Sequence, residues 1–200
     1  MQKELLLFQK LAEKLIAAEN QEPITTPIPP KELFNILPLA LQEQPADDAF
    51  FEKALEKLVL NTPRTATNLF FNQLFGGRNP KATLGDLLAV LLNNSMYTYK
   101  VAGPQVGIEK EILRKSCDLI GYGKDADGTF APGGSMSNFM AILMARDAHN
   151  ETIKNQGVLQ KMTAYTSIES HYSTSKNAAF IGIGREQVRY IATNEYGQMD

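Results

Sequence analysis

The stretch Met162-Thr163-Ala164-Tyr165-Thr166-Ser167, the run Tyr172 to Phe180 and the stretch Gln187-Val188-Arg189-Tyr190-Ile191-Ala192 together decide the fold. The outer two are short and rich in β-favouring side chains, and turn residues bound them, so each reads as a strand. The segment between them reads as a helix. Two strands joined through a helix predict a parallel pair, because parallel neighbours need a long crossover. Upstream, residues 135–148 place Met136, Phe139, Met140, Leu143 and Met144 on one helical face. Before that, a helix through Val106, Leu113, Cys117 and Ile120 leads into a series of glycine turns. From about Pro104 the order is therefore helix, turn, helix, strand, helix, strand, which predicts an α/β domain with helices over a mostly parallel sheet. Only two or three strands accumulate before the turn signal Asn194-Glu195-Tyr196-Gly197. A parallel sheet that small leaves faces and edges uncovered, so the domain is expected to be incomplete over this length.

The first hundred residues read differently, as helices punctuated by loops. Leu5, Phe8, Ala12 and Leu15 recur at helical spacing and predict an opening amphipathic helix. Pro23, Pro27, Pro29 and Pro30 then exclude helix and central strand, which makes that stretch a linker. A second helix is expected after Asp47-Asp48, with Phe51, Leu55, Leu58 and Val59 on one stripe, and a third through Leu84, Leu87, Leu88, Leu91 and Leu92. Between them, residues 61–79 hold Pro63, Gly76-Gly77 and an aromatic cluster without a sustained period, and read as an ordered loop.

Composition narrows the function classes. The 200 residues are 44% hydrophobic and 21% charged, as in ordinary globular chains. With 20 basic and 22 acidic residues the net charge is −2, so nothing marks the chain for nucleic acid or an anionic membrane. The apolar run Leu5-Leu6-Leu7-Phe8 is too short for a membrane span and does not resemble a signal peptide. One cysteine, Cys117, excludes an intramolecular disulfide framework and a multi-cysteine metal cluster, and no zinc-spaced His and Cys cluster exists. These features predict a cytoplasmic protein without metal.

The strongest chemical signal is Phe130-Ala131-Pro132-Gly133-Gly134-Ser135-Met136-Ser137-Asn138, a glycine pair and hydroxyl residues immediately ahead of a helix. Glycine lets backbone approach an anion, first-turn N–H groups point outward, and Ser135 or Ser137 adds a hydroxyl, so the turn suits a phosphate. An ordinary glycine turn with a serine cap is the plainer alternative. His171 follows the first predicted strand, and ligands in open α/β sheets gather at such strand ends; a surface or helix-capping role is its alternative. His149, near a helix C-terminus, needs no catalytic explanation. Asp125-Ala126-Asp127-Gly128 lacks the glycine and the glutamate of a calcium loop, and Gly182-Ile183-Gly184 lacks the third glycine of a dinucleotide fingerprint. Cys117, on an apolar helical stripe, reads as an inert buried thiol.

Several motifs converge on one family. Thr62-Pro63-Arg64, Phe70-Phe71-Asn72-Gln73-Leu74, Met96-Tyr97-Thr98-Tyr99, Asp127-Gly128-Thr129-Phe130 through Ser137-Asn138, and Ser167-Ile168-Glu169-Ser170-His171-Tyr172-Ser173 occur in its order and spacing. The chain resembles the group II pyridoxal-phosphate-dependent decarboxylases, in the glutamate and cysteine sulfinate decarboxylase branch. The likeness is nearly continuous from residue 60 to 197. It implies a fold type I α/β large domain, begun in residues 104–200, after a helical N-terminal segment at 1–103 that serves dimerisation and substrate-side contacts. It also implies a homodimer with active sites at the subunit interface.

By the same resemblance, Gly134 and Ser135 hold the phosphate of pyridoxal 5'-phosphate, and His171 stacks on the pyridine ring and orients substrate or assists protonation. Gln73, Ser95 and Tyr97 lie near the substrate side chain. The implied reaction is α-decarboxylation of a small acidic amino acid, such as cysteine sulfinate, aspartate or glutamate, through an external aldimine and a quinonoid. Ser95 and Tyr97 look more like the cysteine sulfinate branch, whereas Lys100 and Gly103 depart from the family's acidic residue and proline. The family's Schiff-base lysine follows a histidine, but here Asn150 follows His149 and Tyr172 follows His171. That lysine, and the aspartate that pairs with the pyridine nitrogen, are therefore expected beyond Asp200, as in an N-terminal portion of the enzyme. An aromatic-amino-acid decarboxylase, a carbon–carbon lyase of the same superfamily and a noncatalytic dimerisation fragment are the alternatives.

Overall fold

Helix α1 (Gln2–Gln21) buries Leu11 and Ala18 and half-buries Leu7 and Leu15. Leu5 and Phe8 of the predicted stripe stay about half exposed. The run of four apolar residues at 5–8 offers hydrophobic side chains in every direction, so its period leaves the phase open, and the partner helix sets it. That partner is not the short α2 (Leu33–Ile36) but α3 (Asp48–Asn61). Lys3, Lys10 and Lys14 pair with Asp48, Glu52 and Glu56, so the helices run parallel with a row of charges beside their seam. Asp47 caps α3 by accepting the Phe50 N–H at 2.8 Å.

The computed structural model describes residues 1–38, 40 and 43–200, in two compact units, Met1–Asn94 and Ser95–Asp200. In the first unit, Arg64 fastens the proline-rich linker to the end of α3. It is buried and donates to the carbonyl oxygens of Pro23 at 2.5 Å and Leu60 at 3.0 Å and to the Glu22 carboxylate at 2.6 Å. Helix α4 (Pro80–Leu92) begins at Asn79, whose side chain accepts the Lys81 and Ala82 N–H groups. Its predicted apolar residues, Leu84, Leu87, Leu88, Leu91 and Leu92, are all exposed.

The second unit is α/β. Helices α5 (Tyr99–Ala102) and α6 (Gln105–Ile120) open it, and Gly121 ends α6 in the left-handed region at φ 84°, a backbone that costs glycine nothing. Helices α7 (Gly134–His149) and α8 (Ile153–Gln156), strand β1 (Ala164–Ser167), helix α9 (Ser173–Phe180) and strand β2 (Val188–Ile191) follow. The strands pair in parallel from Ala164 opposite Val188 to Ser167 opposite Ile191, as the strand–helix–strand pattern predicts. Both are shorter than the apolar runs that contain them, because the ladder extends only where each strand has the other as partner.

The centre of the second unit is α9 and its surroundings. Ser173, Asn177 and Ala178 on α9, Ile181 after it and Val188 on β2 are buried. Helix α7 packs on α9, and Arg146 of α7 donates to the Ile181 carbonyl oxygen at 2.5 Å while paired with Asp147. Downstream of β2, Asn194 accepts the N–H groups of Tyr196 and Gln198 and shapes the predicted turn. Among the described residues, no helix is long and apolar enough to cross a membrane.

Candidate active site

The glycine turn begins α7. Gly133 is fully extended, and its carbonyl oxygen accepts the N–H groups of Met136 and Ser137 at 3.0 and 3.1 Å. The N–H groups of Gly134 and Ser135, which have no carbonyl one turn earlier within the helix, donate to no backbone oxygen among the described residues. A Cβ placed at Gly133 or Gly134 meets nothing within 4 Å. An open cleft of about 780 Å³ starts here, with Phe139 of α7 and Lys176, Asn177 and Phe180 of α9 among its walls. The Lys176 ammonium lies 5.6 Å from the centre of the Phe180 ring, and among the described residues no carboxylate lines the cleft. Two free donors, a cation and an unfilled approach to the backbone fit a phosphate group.

His171 lies in the turn that joins β1 to α9. Ser167 shapes that turn, with its hydroxyl accepting the Glu169 N–H at 3.0 Å and its carbonyl oxygen the Ser170 N–H at 3.1 Å. The Ser170 hydroxyl is 2.7 Å from the buried Thr166 hydroxyl. The His171 Nδ1 accepts the Ser173 N–H at 3.2 Å and lies 2.8 Å from the Ser173 Oγ. The Asn138 amide donates to that same Oγ at 2.8 Å. Tyr172 leans over the imidazole, with 4.3 Å between ring centres and 38° between planes.

One further bond joins the two features: the Asn177 amide, 3% exposed, donates to the Ser135 carbonyl oxygen at 2.9 Å. Ser173 and Asn177 are four apart on α9 and face one side. They meet Asn138 and Ser135 of α7, so the glycine turn and His171 are tied to one pair of helices. His171 is not a wall of the cleft; Ser173 and Asn138 connect it to α7. The sequence singles out Gly134, Ser135 and His171 as candidates, and the structure adds Asn138, Ser173 and Asn177, the polar side chains that join them. The available signal is the polar pair Ser173 and Asn177 at helical spacing in an apolar context.

The remaining candidates stand elsewhere. Ser95 accepts the Tyr97 N–H at 3.2 Å at the start of the second unit, and the Tyr97 ring is exposed. Gln73 is exposed in the first unit, in the loop where Phe70 and Phe75 meet edge to face at 5.6 Å. Cys117 is half-buried on α6, less enclosed than its apolar stripe predicts. The stripe loses cover at its end, where Ile120 is exposed.

The family model described as the pyridoxal-dependent decarboxylase conserved domain matches residues 30–200. A cysteine sulfinic acid decarboxylase of Rattus norvegicus is 38% identical over 172 residues, which are 85% of this chain and 35% of that protein. An acidic amino acid decarboxylase of Bos taurus is 34% identical over 187 residues, 92% of this chain and 36% of the relative. The chain thus spans about a third of the length of these curated relatives. The crystal structure of mouse CSAD superposes with a TM-score of 0.90 at 33% identity, over 99% of this chain and 43% of that one. The architecture is that of part of a fold type I large domain preceded by a helical segment.

Proposed function

Because the chain belongs to the pyridoxal-dependent decarboxylase family, we propose that the protein is a pyridoxal-phosphate-dependent carboxy-lyase acting on a small acidic amino acid, namely cysteine sulfinate, aspartate or glutamate. The observation that carries this reading is the pair of free N–H groups at Gly134 and Ser135, joined through the α7–α9 hydrogen bonds to His171. Relatives named for cysteine sulfinic acid and for acidic amino acids support the substrate class.

Pyridoxal phosphate, when bound, supplies the electron sink that accepts the pair left behind as the α-carboxylate departs as carbon dioxide. The chain's own residues bind and orient. The Gly134 and Ser135 N–H groups and the Ser135 hydroxyl hold the phosphate at the start of α7, where the helix dipole favours negative charge. His171 would lie against the pyridine ring and would orient the substrate or hold or give a proton at its imidazole nitrogen. Gln73, Ser95 and Tyr97 offer an amide and two hydroxyl donors for the distal carboxylate or sulfinate. Holding the breaking bond in register with the cofactor is the larger part of what such groups contribute.

The helical segment at 1–103 is assigned to dimerisation and substrate-side contacts, in a homodimer located in the cytoplasm. Carbon dioxide release by the full-length protein from a panel of amino acids tests the proposal. Turnover of cysteine sulfinate, aspartate or glutamate is expected, and turnover of aromatic amino acids alone would overturn it.

A further inference from the structure

We propose that Ser173 and Asn138 are positioning residues that hold the His171 imidazole in its Nε2–H form, while Tyr172 covers one of its faces, so that one face and one N–H remain for the cofactor and substrate. The inference deepens the reading of His171 given above and rests on it.

The assignment follows from which groups can reverse their roles. A hydroxyl or a side-chain amide can turn to donate or accept, but the backbone N–H of Ser173 can only donate, and it points at Nδ1 from 3.2 Å. Nδ1 must then carry a lone pair, and the ring proton is on Nε2. The Ser173 hydroxyl agrees with this choice. Asn138 donates to its oxygen at 2.8 Å, which leaves the hydroxyl hydrogen to reach Nδ1, also 2.8 Å away. Ser173 is fully buried, so water does not compete for either bond. His171 is itself exposed, and Nε2 is the ring nitrogen that Ser173 does not engage. Tyr172, at 4.3 Å and 38°, leans over the imidazole, and among the described residues no second aromatic ring lies against it.

The test uses the full-length protein labelled with 15N-histidine, with the His171 signals identified by their loss in His171→Gln. In the cofactor-free and cofactor-loaded forms alike, His171 is expected to show one protonated nitrogen, Nε2, and one unprotonated nitrogen, Nδ1. Ser173→Ala should introduce a share of the Nδ1–H form and lower kcat about tenfold with little change in KM, the loss expected when one hydrogen bond to the ring is removed. Ser173→Thr should restore both. If Ser173→Ala does not fold, Asn138→Ala, at an exposed position, carries the same expectation in weaker form. A protonated Nδ1 in the wild type, or unchanged 15N signals and kcat in both variants, would overturn the proposal. Should His171→Gln leave cofactor affinity and absorbance untouched, the reading of His171 as a cofactor contact fails instead, whatever the tautomer result.

Discussion

Replacing Gly134 by valine separates a glycine kept for the fold from one kept for a ligand. In the structure a Cβ at this position meets nothing within 4 Å, and Gly134 is the first residue of α7 in ordinary helical conformation. Valine is a slightly better helix former than glycine, so the cofactor-free protein should change in stability by less than about 0.5 kcal/mol. For the ligand the same side chain is an obstacle, since it projects from the turn where a phosphate must reach the Gly134 and Ser135 N–H groups. Losing two charge-assisted hydrogen bonds, at roughly 1.5 kcal/mol or more each, weakens binding by about 3 kcal/mol, or on the order of a hundredfold in Kd. At a fixed cofactor concentration well above the Kd of both proteins, the ligand's contribution to thermal stability falls by a similar amount, roughly 2.7 kcal/mol. The assay is pyridoxal phosphate titration of the full-length protein, followed by absorbance, with thermal unfolding in its presence and absence. The reasoning fails if the cofactor-free variant is destabilised as much as the loaded one, or if Kd does not move.

Two other perturbations address the helical unit. Arg64→Ala strips the linker of a buried side chain that satisfies the carbonyl oxygens of Pro23 and Leu60 and pairs with Glu22. A loss of about 2–3 kcal/mol is expected by urea unfolding, with only partial recovery in Arg64→Lys because an ammonium cannot reproduce the fork. A loss under about 0.5 kcal/mol would show that the clamp is not what holds the linker. In the α1–α3 row, the hydrogen bond from Lys10, more than its charge, lowers the Glu52 pKa below 4.5, and the same bond raises Lys10 above 10.5. A depressed carboxyl contributes stability above its unfolded pKa and loses it as pH falls through the folded one. A raised ammonium contributes below its unfolded pKa and loses it as pH rises through the folded one. The difference in Tm between wild type and Glu52→Gln should therefore be flat from about pH 5 to pH 10 and close on both sides. A difference that peaks inside that window would refute the pairing.

Much of the α/β unit is legible in the chain because its signals are local. The β1–α9–β2 order, the parallel pairing and the start of α7 each follow from a short stretch of residues and its turn chemistry. The phase of α1 is not legible, because Leu5-Leu6-Leu7-Phe8 is apolar on all sides and only the partner α3 selects Leu7, Leu11 and Ala18. Helices α5 and α8 have four residues each, too few to show a period. The site divides in the same way. The glycine pair ahead of α7 and a histidine after β1 stand out by type and position as candidates, and the resemblance narrows them to Gly134, Ser135 and His171. Asn138, Ser173 and Asn177, by contrast, acquire meaning only once α7 is laid against α9. Gln73, Ser95 and Tyr97 are named by resemblance, and their exposed settings give no local signal of a role.

The seam between α7 and α9 explains why these polar residues are tolerated in the most buried part of the unit. An amide or hydroxyl taken from water without a partner costs on the order of 1–3 kcal/mol. Here the buried groups are supplied from across the seam, Asn177 by the Ser135 carbonyl oxygen and Ser173 by Asn138 on one side and His171 on the other. Ser173, at 0% exposure, is small enough to sit within reach of Asn138 across the seam. An apolar seam would hold the helices together as well, but it would leave the rotation of the imidazole and the placement of the glycine turn independent. With hydrogen bonds in place, sliding α9 along α7 breaks the Asn177 and Asn138 bonds together, so the free N–H groups of the turn and the ring of His171 keep one spacing. Positioning to that tolerance is what a reaction controlled by orientation requires, and on the proposed function it would account for polar side chains at a helix contact where hydrophobic ones would pack.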